Sequence, residues 1–250
     1  MTNGKKNAKH SAQFVSHREA GDGLEGVKEE FLAMLDNQVA FTLPIFGGLD
    51  VPSSVVGSWI VMAFLVLVSI GLTRNLKMIP GRAQVVLEMY VSLIDSFAKQ
   101  NIGHHGRAFT AYLGTLGLYL GFANISGIWG MTPPTKDVNV AIGCAISATL
   151  VIYGAQFRYH GFERGLRKFA EPMPLLLPIN LMEVVVRPLS LSMRLFGNVL
   201  SAFIIMEMIK MVCGYVLPIP FCLYFDLFDG LIQAVVFVFL TTLFISESVE

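Results

Sequence analysis

Long uncharged runs alternate with short charged joints along this chain, and the joints predict where its helices stop. Val55 to Leu72 is 18 residues without a charge, the least that crosses a bilayer core as a helix. Asp50, Pro52 and Ser53 start it, and Arg74 and Lys77 end it. Residues 81–102, GRAQVVLEMYVSLIDSFAKQNI, set Glu88, Asp95 and Lys99 among apolar residues at helical spacing. That pattern predicts a helix lying at the membrane interface or packed as a re-entrant element. No charge occurs between Arg107 and Lys136, nor between Asp137 and Arg158. Two spans are therefore predicted, a hairpin turned at Pro133-Pro134-Thr135. Gly114, Gly117, Gly121 and Gly127 in the first of them are small residues that permit close helix packing.

The stretch Pro178 to Lys210 predicts a longer helix of a different kind. At about 100° per residue, Asn180, Arg187, Ser190, Arg194, Asn198 and Ser201 all fall within about 60° of Glu183. One face is polar for about six turns, and the others carry Leu, Val, Met, Ile and Phe. Arg194 is 11 positions from Glu183 and 13 from Glu207, so no neighbour one turn away neutralises it. A charge at that depth of a bilayer costs roughly 2.5–3.5 kcal/mol on insertion scales. It is expected to face a partner, a water-filled cavity or an ion path. The last helix, about Phe221 to Ser246, also has a polar face at one end, from Asp226, Asp229 and Gln233. Polar faces on two adjacent helices suit a path through the pair.

Composition agrees with a membrane protein: 54% hydrophobic and 14% charged residues, with a mean hydropathy of +0.62. Lys+Arg and Asp+Glu balance at 18 each, which points to no nucleic acid. Cys144, Cys213 and Cys222 have no metal-ligand spacing. No phosphate loop, dinucleotide fingerprint or hydrolase motif is present, and no cofactor is expected. Residues 1–50 form a polar tail without the apolar core of a signal peptide. Within it, residues 26–41 fit a short amphipathic surface helix.

Basic loops orient the chain. Arg158, Arg164, Arg167 and Lys168, and the cluster Arg74, Lys77 and Arg82, fall on one side; the opposite connections hold Lys136 alone or no basic residue. The excess of Lys and Arg marks the cytoplasmic side. The expectation is an all-α polytopic protein with spans at about 55–73, 108–131, 138–158, 174–212 and 221–246 and an interfacial helix at 83–102. Its amino terminus is outside and its carboxyl terminus cytoplasmic.

RPLSLSMRLFGNVLSA (Arg187 to Ala202) resembles the signature of subunit a of F-type ATP synthases, in its bacterial and chloroplast-like branch. PPTKDVNV at 133–140, LPINLMEVVV before the arginines, and IQAVVFVFLTTLFISES at 232–248 support the resemblance, which covers about residues 55–250. It implies that the last two helices form a polar hairpin facing a rotor ring of c subunits. Peripheral-stalk b subunits, membrane lipid and, indirectly, the catalytic head are the other implied partners, in the cytoplasmic (inner) membrane of a bacterium. Arg194 matches the family's essential arginine, Asn198 the asparagine one turn later, Gln233 the glutamine on the last helix and Glu183 an acidic position before the arginine. Two places depart: Phe203 stands where the family often has Glu, with Glu207 one turn further, and Asp226 where some members have His.

The role so implied is a stator ion channel with two offset half-channels, Arg194 blocking the direct leak between them. Asp226, Asp229 and Glu207 are expected to line the external half, and Glu183 and Asn180 the internal one, with Asn198, Ser201 and Gln233 near the arginine. The chain itself does no nucleotide chemistry. Na⁺ in place of H⁺ stays open, because hydroxyls and carboxylates along the path suit either ion. A stand-alone transporter is a further alternative, against which stands the lack of an internal repeat.

Overall fold

The computed structural model describes residues 39–43, 49–74, 76–78, 81–129, 133–161, 177–213, 220–221 and 223–249. The chain divides into two compact units, Met1–Ser53 and Ser54–Glu250. In the first, β1 (Val39–Leu43) pairs antiparallel with β2 (Leu49–Pro52), Phe41 opposite Val51 and Leu43 opposite Leu49, with an irregularity between Val39 and Phe41. Valine and phenylalanine favour such a ribbon. The surface helix expected at 26–41 thus ends in strand at its last three residues, and its remainder lies outside the described residues.

The second unit is helical. Its elements are α1 (Ser53–Thr73), α2 (Arg82–Ile102), α3 (Thr110–Ile125), α4 (Val138–His160), α5 (Leu177–Cys213) and α6 (Gly230–Val249). Short 3₁₀ turns join α2 to α3 and precede α4. Among the described residues four helices, α1, α4, α5 and α6 (the last with the end of the segment before it), are long and apolar enough to cross a membrane. The expected span 108–131 differs. Its helix α3 has 16 residues, about 24 Å at 1.5 Å each, short of a bilayer core of about 30 Å. It follows α2 at an angle of 116°, so the two together make the fifth span or a re-entrant element.

Glycine explains how tightly that corner closes. A Cβ on Gly106 would stand 2.4 Å from the Ala98 carbonyl oxygen, inside any permissible contact, so the turn after α2 lies directly against its last helical residues. Further along, Gly114, Gly117 and Gly121 face Tyr90, Val238 and Leu231. The small-residue stripe of α3 is therefore the surface on which α2 and α6 pack. Leu113, Leu116, Leu120, Phe237, Val238 and Ile245 fill the seam. Thr241 and Thr242, fully buried in α6, donate back to the carbonyls of Phe237 and Val238, which spares them a bare hydroxyl in an apolar site.

α4 is the wedge. It packs along both α5 and α6, while those two touch each other far less. Asp137 caps α4 by accepting from the Asn139 amide at 2.9 Å, an N-cap that satisfies one of the orphan donors. Ser54 of α1 donates to the other oxygen of that carboxylate. Consequently the end of the bundle where α1, α4 and α6 begin is tied together by polar groups; we call it the turn end. The opposite one, where α4 and α6 finish and α5 begins, is the basic end.

Candidate functional site

α5 buries Leu191, Ser192, Leu195, Val199 and Met206, which fall on one side of the wheel and face the bundle. The predicted polar stripe lies at the margin of that buried face. Glu183, Ser190, Arg194, Asn198 and Ser201 are exposed along it, and Asn180 and Arg187 half-buried. Ser201 donates to the Gly197 carbonyl at 2.7 Å. Arg194 makes no ion pair and no hydrogen bond among the described residues. On its other flank Met182, Val185, Leu189 and Met193 are exposed. The surface holding Arg194 is thus an exposed polar line beside an exposed apolar strip, at mid-helix.

On α6, Gln233 is buried to 8% exposure and has no hydrogen-bond partner among the described residues. None of the buried polar side-chain atoms there is sealed off without a partner, so its amide reaches the edge of the packing. Asp229 is half-buried just before α6. It closes a π-helical segment, Leu223–Asp229, where the sequence predicted plain α-helix. Wider winding changes the angle between Asp226, Asp229 and Gln233 from the one expected, and such segments recur at functional sites. The side chains of Asp226 and Glu207 lie outside the described residues.

Two sets of contacts emerge that sequence reasoning did not predict. At the basic end, Arg187 donates to Glu183 at 2.7 Å and to Glu247 of α6 at 2.6 Å. Its guanidinium also stands 5.1 Å from the centre of the Phe244 ring. Tyr153 of α4 sits within the field of all three charges. Glu183 and Arg187 at (i, i+4) carried half of this signal; nothing in the sequence pointed to Glu247, 60 residues on.

The second set is at the turn end. Thr135, fully buried, donates to the Asn124 side chain at 2.6 Å, and Asn124 donates to the Gly230 carbonyl at 3.0 Å. Tyr119 donates to Ser58, and Ser58 to the Ser54 carbonyl, both at 3.1 Å. Beside this chain a cleft of about 430 Å³ opens between α1, α3 and α4. Ser58, Tyr119 and Asn139 are among its lining residues, but its walls are mostly apolar, with Val55, Trp59, Met62 and Leu116. Nearby, the Lys136 ammonium lies 3.6 Å above the Phe203 ring of α5, a cation–π contact on the side of Arg194 toward the turn end.

An open polar line with an arginine that has no ion pair among the described residues, and a buried glutamine on the companion helix, suit the passing of ions. Comparison with known proteins agrees. Residues 55–246 match the family described as ATP synthase A chain. The chain is 34% identical over 218 residues to "ATP synthase subunit a, sodium ion specific" of Propionigenium modestum, covering 81% of this chain and 75% of that one. It is 34% identical over 205 residues to ATP synthase subunit a of Moorella thermoacetica, covering 82% and 94%. With "ATP synthase subunit a 2" of a Bradyrhizobium species it shares 33% identity over 204 residues, covering 81% and 91%.

Proposed function

This chain belongs to the ATP synthase A chain family, the subunit a family of the membrane sector, and from that premise we propose how it couples ion flow to rotation. The observation that carries the proposal is Arg194: a cation at mid-helix, exposed and without an ion pair among the described residues, on a polar line flanked by an open apolar strip. A ring of c subunits passing this strip would bring one membrane carboxyl group after another to the guanidinium. In a site of low dielectric the opposite charge favours the ionised carboxylate and makes it give up its ion. The same cation repels any ion crossing directly from one side to the other.

Two paths then meet the ring at different heights. The external one uses Asp226, Asp229 and Glu207 toward the turn end. The internal one uses Asn180 and Glu183 toward the basic end. Asn198, Ser201 and Gln233 supply neutral polar groups around Arg194. An ion entering outside rides the ring before leaving inside, and each crossing releases about 2.3 kcal/mol per 100 mV. In this reading the basic loops put the basic end in the cytoplasm of a bacterium, peripheral-stalk b subunits hold the chain still, and the catalytic head makes the ATP.

The test is Arg194→Ala in the whole complex, assayed in sealed vesicles. Ion-driven ATP synthesis should vanish while the complex remains assembled, and normal synthesis would refute the proposal. Arg194→Lys keeps the charge without the planar fork and should rescue little. The coupling ion we take to be H⁺. Na⁺ is the second reading, favoured by the relative named sodium ion specific and by the hydroxyls and carboxylates along the path. ATP-driven pumping measured at alkaline pH with and without added Na⁺ separates the two.

A further inference from the structure

We infer that Arg187 is a positioning residue for Arg194, clamping α5 to α6 at the basic end through its bridge between Glu183 and Glu247; the inference rests on the function proposed above. α5 and α6 touch sparingly because α4 is wedged along both. Their mutual placement is therefore relayed through α4, and little direct packing holds one to the other. The bridge crosses that gap, with guanidinium-to-carboxylate contacts of 2.7 and 2.6 Å and the Phe244 ring beneath the guanidinium.

The geometry of the helix carries the effect to Arg194. Seven residues at 1.5 Å each put Arg187 about 10 Å below Arg194, and two turns bring it back to nearly the same face. The helix is continuous from Arg187 to Arg194 although Pro188 lies between them and removes one backbone bond, so a rotation or slide of α5 at the clamp shifts Arg194 toward or away from the passing carboxylates. The far end of the clamp is itself anchored. Ser246 of α6 donates to the Asn101 carbonyl of α2 at 2.6 Å, so Glu247 extends from a helix end that is already docked. Arg suits the position better than Lys, since its planar fork presents several fixed donors to two carboxylates at once.

Both carboxylates are half or more exposed, at 50% and 59%, while the Arg187 side chain is only 16% exposed. A pair of this kind adds little to global stability. Its removal should be read in coupling, not in folding. In the assembled complex in vesicles, Arg187→Gln should lower ATP-driven pumping per assembled complex about tenfold, since small misplacements of a positioned group cost factors of that order or more. ATP hydrolysis should stay near the parent rate.

The charge-swapped double variant Arg187→Glu with Glu247→Arg rebuilds the bridge, now with Glu183 beside the new arginine, and should recover most of the pumping. Arg187→Lys should lie between. If Arg187→Gln blocks assembly, Glu247→Gln cuts the α6 contact alone and should lower pumping in the same direction. Parental pumping per complex in these single variants, or a double variant no better than Arg187→Gln, overturns the inference. Arg194→Ala run in parallel keeps the two ideas apart: normal pumping there refutes the proposed function, whereas its loss alongside normal Arg187→Gln refutes only the clamp.

Discussion

Asn124 of α3 and Gly230 of α6 are locked against each other: the Asn124 amide donates to the Gly230 carbonyl at 3.0 Å, and a Cβ on Gly230 would stand 2.8 Å from the Asn124 Cβ. Gly230→Ala should therefore push the two helices apart where α6 begins and break the chain of bonds from Thr135 through Asn124. Overpacking of this kind costs about 1–3 kcal/mol. A lower melting temperature of the detergent-purified complex, with Arg194 untouched, is the expected outcome.

Phe203 holds a place where the resembling family often has Glu, and Lys136 lies over its ring. Restoring the acid by Phe203→Glu should gain nothing, since Lys136 is placed to neutralise it. Combining it with Lys136→Gln frees the carboxylate and should raise the rate of ion-driven synthesis at low external ion concentration. The comparison of single and double variants over a range of external pH or Na⁺ checks this.

Orientation is open to direct labelling. Cysteine at Arg158, exposed on the last turn of α4, should react from the cytoplasmic side of sealed vesicles. Cysteine at Val138, on its exposed first turn, should react from the other. Reaction of both from one side would remove the basis for the half-channel assignment.

Neutralising Asp226 and Asp229 together should slow coupled transport by starving the rotor from outside. The rate of ATP synthesis should become more sensitive to external ion concentration, and about a hundredfold slowing is expected, the lower end of the range for losing a group that transfers protons. A double variant that behaves like the parent under every condition sends the external path elsewhere.

Periodicity made the membrane helices and the stripe of α5 legible because each is a local pattern along one helix. The margin position of Arg194, between a buried and an open face, did not follow from the wheel, since it depends on which apolar side of α5 is buried against the bundle. The 116° corner between α2 and α3 was not legible, since it rests on how closely Gly106 approaches the Ala98 carbonyl. A π-helical Leu223–Asp229 escaped too, as its composition resembles any apolar helix start. Glu247, the partner of Arg187, comes from another helix, and no spacing along the chain connects them. Sequence pattern reports what lies within a turn or two; the bridge, the cleft and the corner are made between segments.

The π-helical segment gives the chain a place where its length can change without penalty to the rest. Hydrogen bonds there run to the fifth residue instead of the fourth, so one residue is in surplus over the ordinary winding. Deleting a residue between Leu223 and Asp229 would let the segment tighten and leave Gly230 to Val249 in phase with α3 and α4. The same deletion three turns later would turn everything beyond it by about 100°, swinging Glu247 off Arg187. Tolerance to a one-residue deletion should thus be confined to a single stretch of this helix, with the segment acting as an expansion joint for the seam behind it.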